Sequence, residues 1–225
     1  MFEQLQQLPL FQGVAAERLT ELVGELPFHF LKCDEGEPIV TAGDSCDKVR
    51  FVVSGSVNVE AAFSNLRVKV SYRLDAPAVI GAESLFGIAP HHRVSVVAGH
   101  GCGIMQLTKA DYVTVLQSDK VFLFNIVNFL SRAHQQQTAA LLALTGRDPV
   151  ERLRMVIGIL TTRACRDVHV TYATRDLERL TALSSRALNG LLTTLDDEGV
   201  IDRVSDNEIA VTDLPALMRN WKYEL

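Results

Sequence analysis

Long hydrophobic runs are missing from this 225-residue sequence. It contains no run of 18 or more uncharged apolar residues, whereas a helix that crosses a bilayer needs about 20 of them. Residues 1–7 also lack the basic region and the apolar stretch of a signal peptide. These two absences predict a protein that remains in the cytoplasm and has no membrane partner.

Cysteine is scarce as well. The four cysteines form neither a CxxC pair nor any spacing that suits a zinc site; they are Cys33, Cys46, Cys102 and Cys165. An iron–sulfur cluster needs a group of cysteines that this sequence does not have. We therefore predict reduced, structural thiols and no bound metal.

An excess of positive charge is also absent, since the formal net charge is −5. From residue 149 to the end, ten Lys or Arg residues stand against twelve Asp or Glu residues. DNA is a polyanion, so any affinity for it must come from a local basic face or from two sites in a dimer.

Short β-like runs are what the sequence has between residues 28 and 107. Glycine, aspartate and proline separate these runs, which cover residues 37–41, 49–53, 56–60, 67–72 and 94–98. Many short strands at this spacing predict an antiparallel β-roll of the barrel or jelly-roll type.

A helical period begins near Lys109 and continues for more than thirty residues. One face carries a stripe with steps of three and four, formed by Val127, Leu130, His134, Gln137, Leu141 and Leu144. A long helix with such a stripe favours pairing with a second copy of the chain. The alternative is a helix that packs on its own β-roll.

The segment Gly146-Arg-Asp-Pro149 breaks this helix, with Asp148 as the expected N-cap of the next one and Pro149 in its first turn. We therefore predict three parts in an α+β protein: a β-roll over residues 1–117, a dimerisation helix over 118–147, and a third domain over 148–225.

The third domain has the pattern of a winged helix-turn-helix. Thr174 is the expected N-cap of a first helix and Ser184 of a second. The second helix carries an apolar stripe at positions i, i+3, i+4 and i+7, formed by Leu188, Leu191, Leu192 and Leu195. Gly199 ends it, and two strands joined at Asp206-Asn207 follow as the wing.

The outward side of the second helix predicts the contacts with double-stranded DNA. Arg186 can bind guanine and Asn189 can bind adenine through paired hydrogen bonds. Phosphate contacts are the expected role of small hydroxyl residues and one wing arginine, namely Thr174, Ser184, Ser185 and Arg203. A solvent-exposed surface without DNA contacts is the competing interpretation.

In this order the chain resembles the Crp/Fnr family of bacterial transcription regulators over nearly its whole length. The similar segments are PLF at 9–11, EGEPI at 35–39, FVVSGSVNV at 51–59, IGAESLF at 80–86, and the helix-turn-helix that ends with EGVI at 198–201. The resemblance implies a homodimer that binds an approximately palindromic operator under the control of a small effector. RNA polymerase is a further candidate partner.

The resemblance also places candidate effector residues, and here the sequence departs from the family. A cyclic-AMP site of this family has Gly-Glu in the cassette and then Arg-Ser, whereas Ala82 stands at the Glu position. Neighbouring residues of a strand point to opposite faces, so the displaced acid and arginine fit cyclic AMP poorly. We expect a different effector, with candidate contacts at Gly81, Glu83, Ser84, His92, Arg93, Gln137 and Thr138.

Two other interpretations remain open. The chain could be an effector-binding or protein-interaction module whose winged helix no longer binds DNA. A haem sensor would use His91, His92 or His134 as its iron ligand. We do not predict an enzyme, because no nucleophile, base and orienting group recur together near these histidines.

Overall fold

The chain forms two compact units. The computed structural model describes residues 6–63, 65–143, 148–161 and 165–218. The first unit contains Met1–Val59 and Leu74–Ala133, and the second contains Glu60–Arg73 and His134–Leu225. The predicted division after residues 117 and 147 stays a prediction, and the compact units divide the chain differently.

The first unit is built mainly from short antiparallel strands, as the turn signals indicate. Its strands are β1 (His29–Lys32), β2 (Pro38–Val40), β3 (Lys48–Ser54), the start of β4 (Ser56–Ala62), the end of β5 (Val68–Asp75), β6 (Ala78–Ile80), β7 (Val94–Ala98) and β8 (Gly103–Thr108). Four of them form a sheet in the order β1-β8-β3-β6, and β2 pairs with β7.

Helical segments cover one face of the four-stranded sheet. They are the 3-10 turn Pro9–Phe11, α1 (Ala16–Glu25), α2 (Lys109–Ser118) and the first part of α3 (Lys120–Ala143). Val49 and Phe51 of β3 belong to the buried cluster that includes Phe122 of α3. Because side chains alternate along a strand, Arg50 and Val52 lie on the opposite face of this sheet.

The helical period predicted from Lys109 is present, but Asp119 divides it into two helices. Asp119 has an extended backbone, and its carboxylate accepts a hydrogen bond of 2.9 Å from the amide of Val121. Among the described residues, no single helix is long and apolar enough to cross a membrane, although α2 and α3, bent by 118°, satisfy length and composition as a pair.

The second unit combines helices with antiparallel strands. Its elements are the hairpin segment 60–73, the end of α3, α4 (Pro149–Leu160), β9 (Arg166–Tyr172), α5 (Thr174–Thr181), α6 (Ser185–Asp197), β10 (Ile201–Ser205), β11 (Glu208–Val211) and α7 (Leu214–Leu217). Neighbouring strands within this unit follow the order β10-β11-β9-β5. The α+β fold class predicted from the sequence is confirmed.

Several local predictions in the second unit are confirmed by the backbone. The carboxylate of Asp148 accepts a hydrogen bond of 2.8 Å from the amide of Val150, so it caps α4 directly before Pro149. Gly199 has a φ of +68° just after α6, which is the left-handed conformation that favours glycine. Leu144, Gly146 and Arg147 lie outside the described residues.

Candidate DNA-binding and effector-binding sites

The two helices α5 and α6 and the hairpin β10–β11 follow one another in the order of a winged helix-turn-helix. Leu177 of α5 and Leu188, Leu192 and Leu195 of α6 are buried. This leucine frame holds α6 by one face and leaves its other face in solvent.

Ala182 makes the turn between α5 and α6. Its φ and ψ are 54° and 37°, and its amide donates to the carbonyl of Glu178. The left-handed region costs a residue with a Cβ about 1–2 kcal/mol. Alanine is therefore strained in this turn, whereas glycine would not be. The sequence alone does not reveal this conformation.

The helix starts agree with the sequence at one position and differ at the other. The Ser184 hydroxyl accepts a hydrogen bond of 3.4 Å from the amide of Ala187, which confirms the N-cap of α6. The prediction for Thr174 was wrong: the N-cap of α5 is Ala173, and Thr174 is the first helical residue. The helix starts one residue earlier because the carbonyl of Ala173 already accepts hydrogen bonds from the amides of Asp176 and Leu177.

The exposed face of α6 carries the predicted base-reading residues. Ser185, Arg186, Asn189 and Thr193 are all exposed, and so is Arg203 of the wing. The Ser185 hydroxyl donates a hydrogen bond to the carboxylate of Glu178. Arg186 and Asn189 are three residues apart and therefore lie on the same side of the helix.

The segment 60–73 is attached to β9 and to the start of α5, which sequence analysis did not anticipate. Strand β5 pairs with β9, with Val70 opposite Val170. Arg67 makes two backbone hydrogen bonds: its carbonyl accepts from Ala173 at 2.7 Å, and its amide donates to the carboxylate of Asp176 at 3.0 Å. This backbone clamp holds the first turn of α5.

Replacing Asp176 with alanine is expected to lower the free energy of unfolding by about 1–3 kcal/mol, because the Arg67 amide loses a charged acceptor. Asp176→Asn keeps an oxygen acceptor and serves as the matched control. Urea unfolding at neutral pH measures the difference. Equal losses for the two variants would contradict the clamp.

The candidate effector residues of the first unit divide into a buried set and an exposed set. Ser84 is 6% exposed and His92 is 5% exposed, whereas Glu83 and Arg93 are exposed. Loss of hydration raises the pKa of the Glu83 carboxyl, and the positive charge of Arg93 partly offsets that rise. The Glu83 carboxyl is therefore partly shielded from water although the residue is exposed, and the charge of Arg93 acts on it.

The buried residues of this set lie close to Gly81. This glycine has a φ of +84°, and a Cβ built there would lie 3.1 Å from Cε1 of His92 and 3.2 Å from Sγ of Cys46. The Cys46 thiol donates to the carbonyl of Gly81 at 3.4 Å, and the amide of Ser84 donates to the same carbonyl at 3.1 Å. Glycine is required here because these neighbours occupy the space of a side chain.

Arg50 is a candidate that sequence analysis missed. Its Nη1 atom is buried and has no hydrogen-bond partner among the described residues. Burial lowers the pKa of its guanidinium, and Asp47 and Cys46 act in the opposite direction. Burial also lowers the pKa of His92, and the nearby charge of Arg50 lowers it further. A single arginine in a β-like run gives no signal that its end is buried.

The remaining candidates lie on α3. Gln137 and Thr138 are exposed in the second unit, and His134 is exposed beside them. In the described part of the chain, no group of three His, Cys, Asp or Glu side chains could hold a metal ion.

One protein-family model matches a segment that lies mostly in the first unit. Residues 30–119 match the family model of the cyclic nucleotide-binding domain. A comparison with curated protein sequences finds no match. Within the matched segment, Ala82 is fully buried and has no polar side-chain group, and Arg93 is exposed.

Two solved structures share the fold over most of the chain. The catabolite activator protein of Thermus thermophilus is 19% identical, with a TM-score of 0.50 over 94% of this chain and 97% of that one. The c-di-GMP-responsive global regulator CLP of Xanthomonas campestris is 17% identical, with a TM-score of 0.53 over 88% and 99%. The chain thus contains a segment similar to the cyclic nucleotide-binding domain and shares the fold of these two regulators.

Proposed function

We propose that this protein is a dimeric, sequence-specific DNA-binding transcription regulator of the Crp/Fnr type, controlled by a small effector other than cyclic AMP. The observation that carries the proposal is the exposed pair Arg186 and Asn189 on α6, held outward by the buried leucine frame. The fold that the chain shares with two regulators supports it.

The proposed partner for the long helix is a second copy of the chain. In the first unit Leu123, Phe124 and Val127 of α3 are 48%, 64% and 48% exposed, and in the second unit Leu141 and Leu142 are 60% and 54% exposed. Apolar side chains repeated along one helix favour helix pairing. Two reading helices related by two-fold symmetry bind half-sites about 10 base pairs apart, centre to centre.

Selection of bound fragments from random double-stranded DNA tests this function. We expect an approximately palindromic sequence and an affinity that falls steeply as salt rises, because phosphate contacts release counterions. Light scattering on the same sample measures the dimer.

Folded, dimeric protein that retains no DNA at low salt would contradict the proposal. It would favour the alternative of an effector-binding or protein-interaction module. Two observations favour this alternative, namely the hydrogen bond between Ser185 and Glu178 and the net negative charge of the chain.

A further inference from the structure

Arg50 carries a positive charge that the described residues leave unpaired. It lies at the centre of the sheet, where its Cα faces Ile80 of β6 on one side and Gln106 of β8 on the other. Asp47 acts on the guanidinium electrostatically, but the Arg50 side chain makes no ion pair or hydrogen bond with any described residue. A buried donor without a partner is unfavourable, so such a group calls for an explanation.

The strand partner of Arg50 leads directly into the cassette. Ile80 is followed by Gly81, against which the His92 imidazole packs. Ser84 is joined to Gly81 by a backbone hydrogen bond, and its own hydroxyl oxygen is buried without a partner. Arg50 and Ser84, whose Nη1 and Oγ atoms lack partners, are therefore both connected to Gly81, Arg50 through its strand partner Ile80 and Ser84 through the backbone hydrogen bond. The charge of Arg50 also acts on His92, which packs against Gly81.

The chemistry of these groups selects an anion. A guanidinium presents a planar fork of donors that matches the oxygens of a carboxylate or a phosphate, and a hydroxyl can donate a further hydrogen bond. Burial strengthens such bonds because water does not compete. A hydrophobic or cationic ligand would leave both donors unsatisfied.

We propose that Arg50 is the anion-binding residue of the first unit, with Ser84 as a second donor, and that its ligand is a small organic molecule bearing a carboxylate or phosphate group. If this ligand is also the effector that controls DNA binding, that further step rests on the proposed function; the binding of the anion itself does not. It moves the anion contact from Arg93, which is exposed, to an arginine on β3.

The test uses the 225-residue chain without DNA. A failure to bind an anion is therefore distinguishable from a failure to bind DNA, which would contradict the proposed function. Calorimetry and thermal unfolding are measured with inorganic phosphate and with benzoate, each at about 20 mM and at constant ionic strength. The two anions distinguish a phosphate ligand from a carboxylate ligand. Four proteins are compared, namely the unchanged chain, R50M, R93M and the surface control R18M.

We expect one of the anions to bind the unchanged chain and to raise its Tm by about 2 °C or more. R50M should weaken that binding by about tenfold or more, whereas R93M and R18M should keep it. Without added anion, R50M should have a Tm equal to or above that of the unchanged chain, because a buried, unpaired charge has been removed.

Three results would overturn the proposal: no binding of either anion, loss of binding in R93M rather than R50M, or a clearly lower Tm of anion-free R50M. The variant R50K keeps the charge but loses the planar fork, so it tests the site if R50M does not fold. Binding by R50K as tight as that of the unchanged chain would also contradict the assigned role.

Discussion

Replacing Arg186 and Asn189 together with alanine is expected to weaken binding to the selected operator by about two to three orders of magnitude. Each side chain can make a paired hydrogen bond to one base, and each such pair contributes about 1–3 kcal/mol of discrimination. Both side chains are exposed, so their removal leaves the leucine frame intact. Titration of a labelled operator by fluorescence anisotropy measures the loss.

The matched control is R18A/N58A, which removes the same side-chain types from the first unit. We expect it to bind the operator as tightly as the unchanged chain. Binding to random DNA should change much less in R186A/N189A than binding to the operator, because phosphate contacts do not depend on sequence. Equal losses on the operator and on random DNA would show that these residues do not read bases.

Replacing Gly55 with alanine is expected to destabilise the first unit by about 2–5 kcal/mol. Gly55 joins β3 to β4 with a φ of +66°, and a Cβ there would overlap the carbonyl group of Gly101 and the carbonyl oxygen of His100. The left-handed conformation accounts for about 1–2 kcal/mol. The overlap adds about 1–3 kcal/mol, because backbone atoms cannot move aside as a flexible side chain can.

Gly36→Ala is the matched control, since Gly36 has a φ of +84° and nothing within 4 Å of a Cβ. It tests the backbone conformation without the overlap, and we expect a loss of only about 1–2 kcal/mol. Thermal unfolding should show a Tm for G55A roughly 10 °C below that of the unchanged chain. Equal Tm values for G55A and G36A would show that the turn opens to accept a side chain.

The elements that sequence analysis predicted well have local signals. Asp148 and Ser184 are capping residues because a short side-chain oxygen reaches an amide two or three residues ahead, and the structure shows both bonds. The apolar stripe of α6 follows from the 3.6-residue period, and Leu188, Leu192 and Leu195 are buried. These features depend on residues that are close in sequence.

The features that were missed depend on residues that are far apart in sequence. The amide of Arg67 bonds to Asp176, 109 residues away, through strand pairing between β5 and β9. No periodicity in residues 60–73 reveals which strand they will join, because pairing is decided by the packing of the whole unit.

The candidate effector site shows the same division. Its residue types were visible in the cassette, where His92 is buried and Arg93 is exposed. Arg50 could not be predicted as a site residue, because an arginine in a strand is expected at the surface. The residue is half-buried, and its Nη1 atom is enclosed without a partner among the described residues.

Sequence alone thus determined the α+β class, the change from short strands to a long helical segment, and the capping and apolar positions of α6, because periodicity and capping are local properties of the chain. Only the tertiary structure decided that residues 60–73 pair with β9 and that Arg50 Nη1 is buried without a partner. Strand pairing and burial are set by contacts between distant segments, and these contacts leave no pattern in the neighbouring residues.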